Sequence, residues 1–144
     1  MVTMTWTNSL NWKNWDFSIA LRASLGNWMY NDNMASNSIK SSNAALPLSN
    51  MMRDTFLFER NDLSTIMSDY FVQNASYLRC DNITLGYTWS HLLDNSLRLR
   101  LYGAVQNPFV ITKYKGIDPE KFDGIDRGVY PKPVTFSMGI VASF

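Results

Sequence analysis

The chain has little of what catalytic or covalently stapled folds are built from. It holds one cysteine, Cys80, and one histidine, His91, in 144 residues. A lone cysteine excludes an intrachain disulfide, and beside a lone histidine it assembles neither a metal cluster nor a nucleophilic triad. Cys80 is therefore read as a small buried or inward-facing residue. The net charge of +1 leaves no electrostatic footprint for nucleic acid. No apolar run approaches the roughly 18 residues of a membrane-spanning helix, and no glycine-rich phosphate cradle occurs. The opening Met1-Val2-Thr3-Met4-Thr5-Trp6 lacks the charged and apolar regions of a secretory signal. No catalytic residue, metal site or cofactor is read from these residues, and the chain is not read as an enzyme.

What the sequence does have is alternation. From Val134 to Phe144, Val134, Phe136, Met138, Ile140, Ala142 and Phe144 point one way, and Thr135, Ser137, Gly139, Val141 and Ser143 the other. Near the start, Val2, Met4, Trp6, Leu10 and Trp12 interleave with Thr3, Thr5, Thr7, Ser9 and Asn11, with Asn8 alone breaking the apolar set. Trp15, Phe17, Ile19, Leu21, Ala23 and Leu25 then alternate with Asp16, Ser18, Ala20, Arg22, Ser24 and Gly26. Ile83, Leu85, Tyr87 and Trp89 oppose Asn82, Thr84, Gly86 and Thr88. Leu97, Leu99, Leu101, Gly103 and Val105 oppose Arg98, Arg100, Tyr102, Ala104 and Gln106. The expectation is five antiparallel strands, at about 1–12, 15–28, 76–90, 97–106 and 133–144. Each suffices for a tilted transmembrane strand, which takes roughly 9–11 residues. A hydrophobic fraction of 46% with a mean hydropathy of −0.18 suits a two-faced barrel wall better than a bundle of apolar helices.

The connections alternate strictly between short and long. Lys13-Asn14 and 91–96 are short, whereas 27–74 and 107–133 are long. Outer-membrane barrels have this asymmetry, with short periplasmic turns and longer extracellular loops. Trp12, Trp15, Tyr87 and Trp89 cluster beside the short turns, where an amphipathic ring suits the membrane interface. Five strands cannot close such a barrel, since single-chain examples start at about 8. Together with the missing export signal, this predicts that the chain is one piece of a longer polypeptide.

Particular motifs carry a family resemblance. The stretch Ser68-Asp69-Tyr70-Phe71-Val72-Gln73-Asn74-Ala75-Ser76-Tyr77-Leu78-Arg79-Cys80-Asp81-Asn82-Ile83-Thr84-Leu85-Gly86-Tyr87 resembles the signature near the end of SusC/RagA-type TonB-dependent transporters. Asn14-Trp15-Asp16-Phe17-Ser18, Leu99-Arg100-Leu101-Tyr102-Gly103-Ala104-Val105-Gln106-Asn107-Pro108-Phe109, Gly116-Ile117-Asp118-Pro119-Glu120, Tyr130-Pro131-Lys132-Pro133 and the terminal Phe144 resemble the same family. The resemblance implies a roughly 22-stranded barrel with a plugged lumen, of which these would be the last five strands. It also implies a Gram-negative outer-membrane location and import of oligosaccharides or peptides under a SusD-like surface lipoprotein. Energy would come from TonB, acting through an N-terminal part absent here. The plug, the TonB box and the earlier strands are likewise absent from these 144 residues.

Within that frame, Arg22, Arg98, Arg100 and Tyr102 are expected to face the lumen. Arginine forks there match carboxylates, first on the plug and second on a substrate. Met51, Met52, Phe56, Leu57 and Phe58, followed by Glu59-Arg60-Asn61-Asp62, form an apolar cluster on the first long loop. Phe56, Phe58 and Arg60 are read first as local loop packing and second as contacts to the lid protein. Asn43 would cap a short helix running to Met52, limited by Pro47. Trp28 and Tyr30 are read as interface anchors, with sugar stacking as the alternative. Asp118-Pro119-Glu120 and Asp123-Gly124-Ile125-Asp126 are read as turn residues in preference to a calcium loop. Phe136 and Phe144 belong to a terminal strand that resembles the signal read by the barrel-assembly machinery. The competing architecture is a soluble, sugar-binding β-sandwich.

Overall fold

A computed structural model describes residues 1–37, 68–92, 97–128 and 130–143. It divides into two units: Met1–Leu25 with Tyr77–Ile111 and Lys132–Phe144, and Gly26–Ser76 with Thr112–Pro131.

The first unit is one antiparallel sheet of five strands. These are β1 (Val2–Trp12), β2 (Trp15–Leu25), β5 (Tyr77–Leu92), β6 (Leu97–Thr112) and β7 (Thr135–Ser143), in the order β1-β2-β5-β6-β7. Residues directly opposite each other in such a ladder share a face, so register tests the alternation read from sequence. Trp6 faces Leu21, Leu10 faces Phe17, and Trp12 faces Trp15. Phe17 then faces Leu85, Ile19 faces Ile83, and Trp15 faces Tyr87. On the far side Leu101 faces Ile140 and Val105 faces Phe136, while Arg100 and Tyr102 share the other face with Val141 and Gly139. One apolar face and one polar face therefore persist from strand to strand. The single break, Asn8, lies opposite Ile19 on the apolar side.

That apolar face is exposed rather than packed into a core. Trp6 is 55% exposed, Phe136 77% and Ile140 68%. A β-sandwich would bury such rows against a second layer, so the sandwich alternative loses its core. No helix among the described residues is long and apolar enough to cross a membrane.

The strands differ from their expected limits for local reasons. β2 stops at Leu25 because Gly26 turns the chain in the left-handed region, at φ 70. β6 continues to Thr112 rather than ending at Gln106, with Asn107 at φ 51. Asparagine tolerates that conformation. Pro108 lies just past the end of the β7 ladder, whose last pair is Gln106–Thr135. In β5 the register slips: Ala20 pairs with Asn82 but Leu21 with Cys80, leaving Asp81 as the extra residue of a bulge. Unbroken alternation back from Ile83 would have set Arg79 and Asp81 on the apolar face. The bulge instead places Arg79 opposite Arg22 on the polar one. Cys80 is fully buried.

The second unit holds β3 (Trp28–Tyr30), the short helix α1 (Asp32–Ser36), a one-turn 3-10 helix (Asp69–Phe71) and β4 (Val72–Asn74). Thus 27–74, expected as a long loop, carries structure of its own. β3 and β4 pair antiparallel, and Tyr30 bridges to Ile125. Asn31 is the N-cap of α1, its side chain accepting a 2.9 Å bond from the Met34 amide. Met34, Ala35 and Phe71 form one small core, and Met29, Ala75 and Tyr114 another. The expected 43–52 helix lies outside the described residues.

Asp126, fully buried, ties this unit together. Its carboxylate accepts from the Tyr114 hydroxyl and the Ile117 amide at 3.1 Å, and from the Gly128 amide at 3.1 Å. Asp118 and Asp123 accept from amides two residues on, at Glu120 and Ile125. All three are turn residues of the Asx kind, as expected. Among the described residues no acidic, histidine or cysteine group forms a cluster able to hold a metal. The Arg127 guanidinium bonded to Asp123 holds that carboxyl below its ordinary range.

Two predictions follow from this packing. Gly139 lies opposite Tyr102, and a Cβ there would collide with the tyrosine ring. Gly139→Leu, placed in the full-length protein, is expected to cost about 1–3 kcal/mol by overpacking. Urea midpoints of the detergent-folded protein measure this, and adding Tyr102→Ala should recover most of the loss. Burial, then the nearby Asp126 charge, pushes the Tyr114 phenol well above its ordinary value of 10.0. A raised pKa stabilises the fold fully below the unfolded value and loses that contribution as pH rises through the folded one. Proteolysis within 112–131 is therefore expected to accelerate in strong alkali, and Tyr114→Phe should abolish that pH-dependent step.

Candidate functional site

Chemistry concentrates on the polar face. Asp16 projects from β2 and Arg100 from β6, with β5 lying between these strands. The guanidinium crosses β5 to grip the carboxylate with two prongs, Nε to Oδ1 at 2.9 Å and Nη2 to Oδ2 at 2.5 Å. Gly86, opposite Asp16, permits the crossing: a Cβ there would strike both carboxylate oxygens and Nη2 of Arg100. The Arg100 guanidinium also sits 5.0 Å from the centroid of the Tyr102 ring. Further along the face, Arg22 Nη2 meets Asp81 Oδ1 at 2.9 Å, so the bulge residue becomes the partner of an arginine. Arg79, buried, stands opposite Arg22 with its guanidinium 5.8 Å from the Tyr77 ring.

Near the Lys13-Asn14 turn a polar hollow of about 490 Å³ opens, lined by Asn11, Lys13, Asp16, Ser90, Arg98 and Arg100 among others. Arg98 has no carboxylate partner among the described residues. The hollow carries three cations against one anion, and Asp16 already neutralises Arg100.

The expected residues thus have different fates. Arg22, Arg98, Arg100 and Tyr102 share the polar face. Arg22 and Arg100 are occupied by carboxylates of their own sheet, and Tyr102 covers Gly139. Trp28 is exposed on β3, while Tyr30 packs edge-on to Phe71 at 6.3 Å. Burial, then Asp32, raises the Tyr30 phenol above its ordinary value. Phe136 lies exposed on the apolar face. Phe56, Phe58, Arg60 and Phe144 lie outside the described residues. Asp16, Asp81 and Arg79 were not anticipated. Asp16, on the polar side of its strand's alternation, was the available signal for Arg100, whereas the bulge at Asp81 hid the phase of both Asp81 and Arg79.

At the short-turn end the apolar face carries an aromatic band. Trp15 and Tyr87 meet edge-to-face with ring centroids 4.7 Å apart, and Tyr87 and Trp89 likewise at 4.7 Å. Lys13 sits 5.2 Å from the Trp12 ring.

Comparison with known proteins decides the family. Over 99% of its length the chain is 42% identical to the TonB-dependent receptor SusC of Bacteroides thetaiotaomicron. The chain belongs to the SusC/RagA-type TonB-dependent receptors. A second relative, the TonB-dependent receptor P3 of Formosa agariphila, is 29% identical over 99% of the chain. The chain spans 15% of the length of SusC and 16% of that of P3. No family model matches it. Among solved structures, the RagAB peptide transporter superposes with a TM-score of 0.72 at 24% identity, covering 96% of this chain and 16% of that one. The RagAB peptide importer in its open-open state gives 0.74 over 99% of this chain and 17% of its own. The sheet is accordingly a stretch of SusC/RagA-type barrel wall, and receptors of this family are outer-membrane β-barrels.

In the full-length receptor, Asp16→Ala and Arg100→Ala are expected to be non-additive, with a coupling energy of about 0.5–3 kcal/mol. A double-mutant cycle of urea midpoints measures it. Additive losses would show that the fork contributes no net stability.

Proposed function

We propose that this chain supplies the last five strands of a TonB-dependent importer of oligosaccharides or peptides. The observation that carries this is the 42% identity to SusC along a sheet whose apolar and polar faces hold their phase across every strand pair whose register is defined. The polar face lines the lumen, where charged side chains meet water or the plug rather than lipid. Arg22–Asp81 and Arg100–Asp16 brace the wall from inside. Arg98 offers the cationic hollow to a carboxylate of the plug.

The second unit and the long loops lie on the cell surface. There the exposed Trp28 ring gives a sugar-stacking face, and the segment carrying Phe56, Phe58 and Arg60 a contact for a SusD-like lipoprotein. The remainder of the barrel, the plug and TonB complete the machine in a Gram-negative outer membrane. Phe136 and Phe144 present the terminal strand to the assembly machinery by strand addition.

The test is genetic and begins with the full-length receptor gene. Deleting it is expected to abolish growth on at least one oligosaccharide or peptide source, with the receptor found in the outer-membrane fraction of the parent. Unimpaired growth on every such source would remove the import reading. Separately, Phe144→Asp in the full-length receptor is expected to lower its outer-membrane level several-fold, whereas an unchanged level would remove the assembly role.

A further inference from the structure

The apolar face is not smooth. Trp15, Leu85, Tyr87 and Trp89 on one side, and Leu101 and Met138 on the other, bound a groove of about 620 Å³ floored at Gly103. That volume falls in the range of about 300–1,000 Å³ typical of small-molecule sites. A Cβ built on Gly103 meets nothing within 4 Å, so the missing side chain opens space rather than admitting a neighbouring strand. Met138, directly opposite Gly103, is 80% exposed and leaves the space unfilled.

On a face turned to hydrocarbon, this hollow has a defined occupant class. Its walls are apolar, so water gains too few partners to fill it, and leaving it empty forfeits dispersion contacts along its length. A flexible alkyl chain restores them. One wall is the Trp15–Tyr87–Trp89 band, which belongs at the headgroup boundary. Lys13, exposed on the turn joining β1 to β2, supplies a cation at the same end. An ammonium there complements a phosphate, while its methylenes lie along apolar surface.

We infer that the groove over Gly103 seats one acyl chain of a phospholipid from the leaflet on the short-turn side, with Lys13 paired to that lipid's phosphate. This rests on the membrane reading of the apolar face and adds a ligand to it. The full-length receptor, purified from outer membranes, would be weighed by native mass spectrometry for retained phospholipid. Gly103→Leu fills the floor of the groove, while Ala142→Leu adds the same bulk to the apolar face away from it.

The parent and Ala142→Leu are expected to retain phospholipid, and Gly103→Leu to retain several-fold less, with Lys13→Glu also reduced. Equal retention by Gly103→Leu and the parent would overturn the inference, as would lipopolysaccharide or a second receptor copy as the retained species. A failure of the membrane reading itself would show earlier and differently, as absence of the receptor from the outer-membrane fraction.

Discussion

In hydrocarbon a backbone amide has no water to turn to, and that constraint organises everything seen in the five-stranded sheet. Each strand satisfies its neighbours through an antiparallel ladder, which leaves side chains to divide strictly between two faces. The apolar face can then be exposed without penalty, because its surroundings are as apolar as it is. Such rows of Trp, Phe, Met and Ile would be an aggregation hazard on a water-soluble sheet. The same division frees the polar face to hold charge.

How that charge is held is the second lesson. Arginines dominate the polar face, yet two of them are matched within the wall by carboxylates reached across the sheet. Arg100 spans from β6 to β2 only because Gly86 of β5 offers no side chain in its path. Arg22 finds its partner only because the bulge at Asp81 redirects a residue that simple alternation would have turned to lipid. Glycine and bulge, weak points in an ordinary strand, become the devices that let charges pair across strands. Gly139 plays the converse part, giving the Tyr102 ring a flat place to lie, much as aromatic cover protects strand glycines elsewhere.

The second unit is built on different principles. Its cores are small, and its order depends on polar anchors: Asn31 capping α1, Asp126 collecting three donors, and Asx turns at Asp118 and Asp123. Such anchors let loop segments keep a fixed form with little apolar burial.

The strands, their faces and the aromatic band were legible in the order of residues, because a period of two with one apolar face is a local property that any half-lipid strand must show. That Arg22, Arg98, Arg100 and Tyr102 share the polar face followed from the same arithmetic, and the turn roles of Asp118, Asp123 and Asp126 from their side-chain chemistry. What only the folded sheet decided was who meets whom. The pairing of Asp16 with Arg100 joins residues 84 positions apart, and the phase of Arg79 depends on one extra residue in β5. β6 runs on past Asn107, beyond the last β7 pair at Gln106–Thr135. These are facts about register and strand order, which arise from contacts distant in the chain and leave no periodic trace within it.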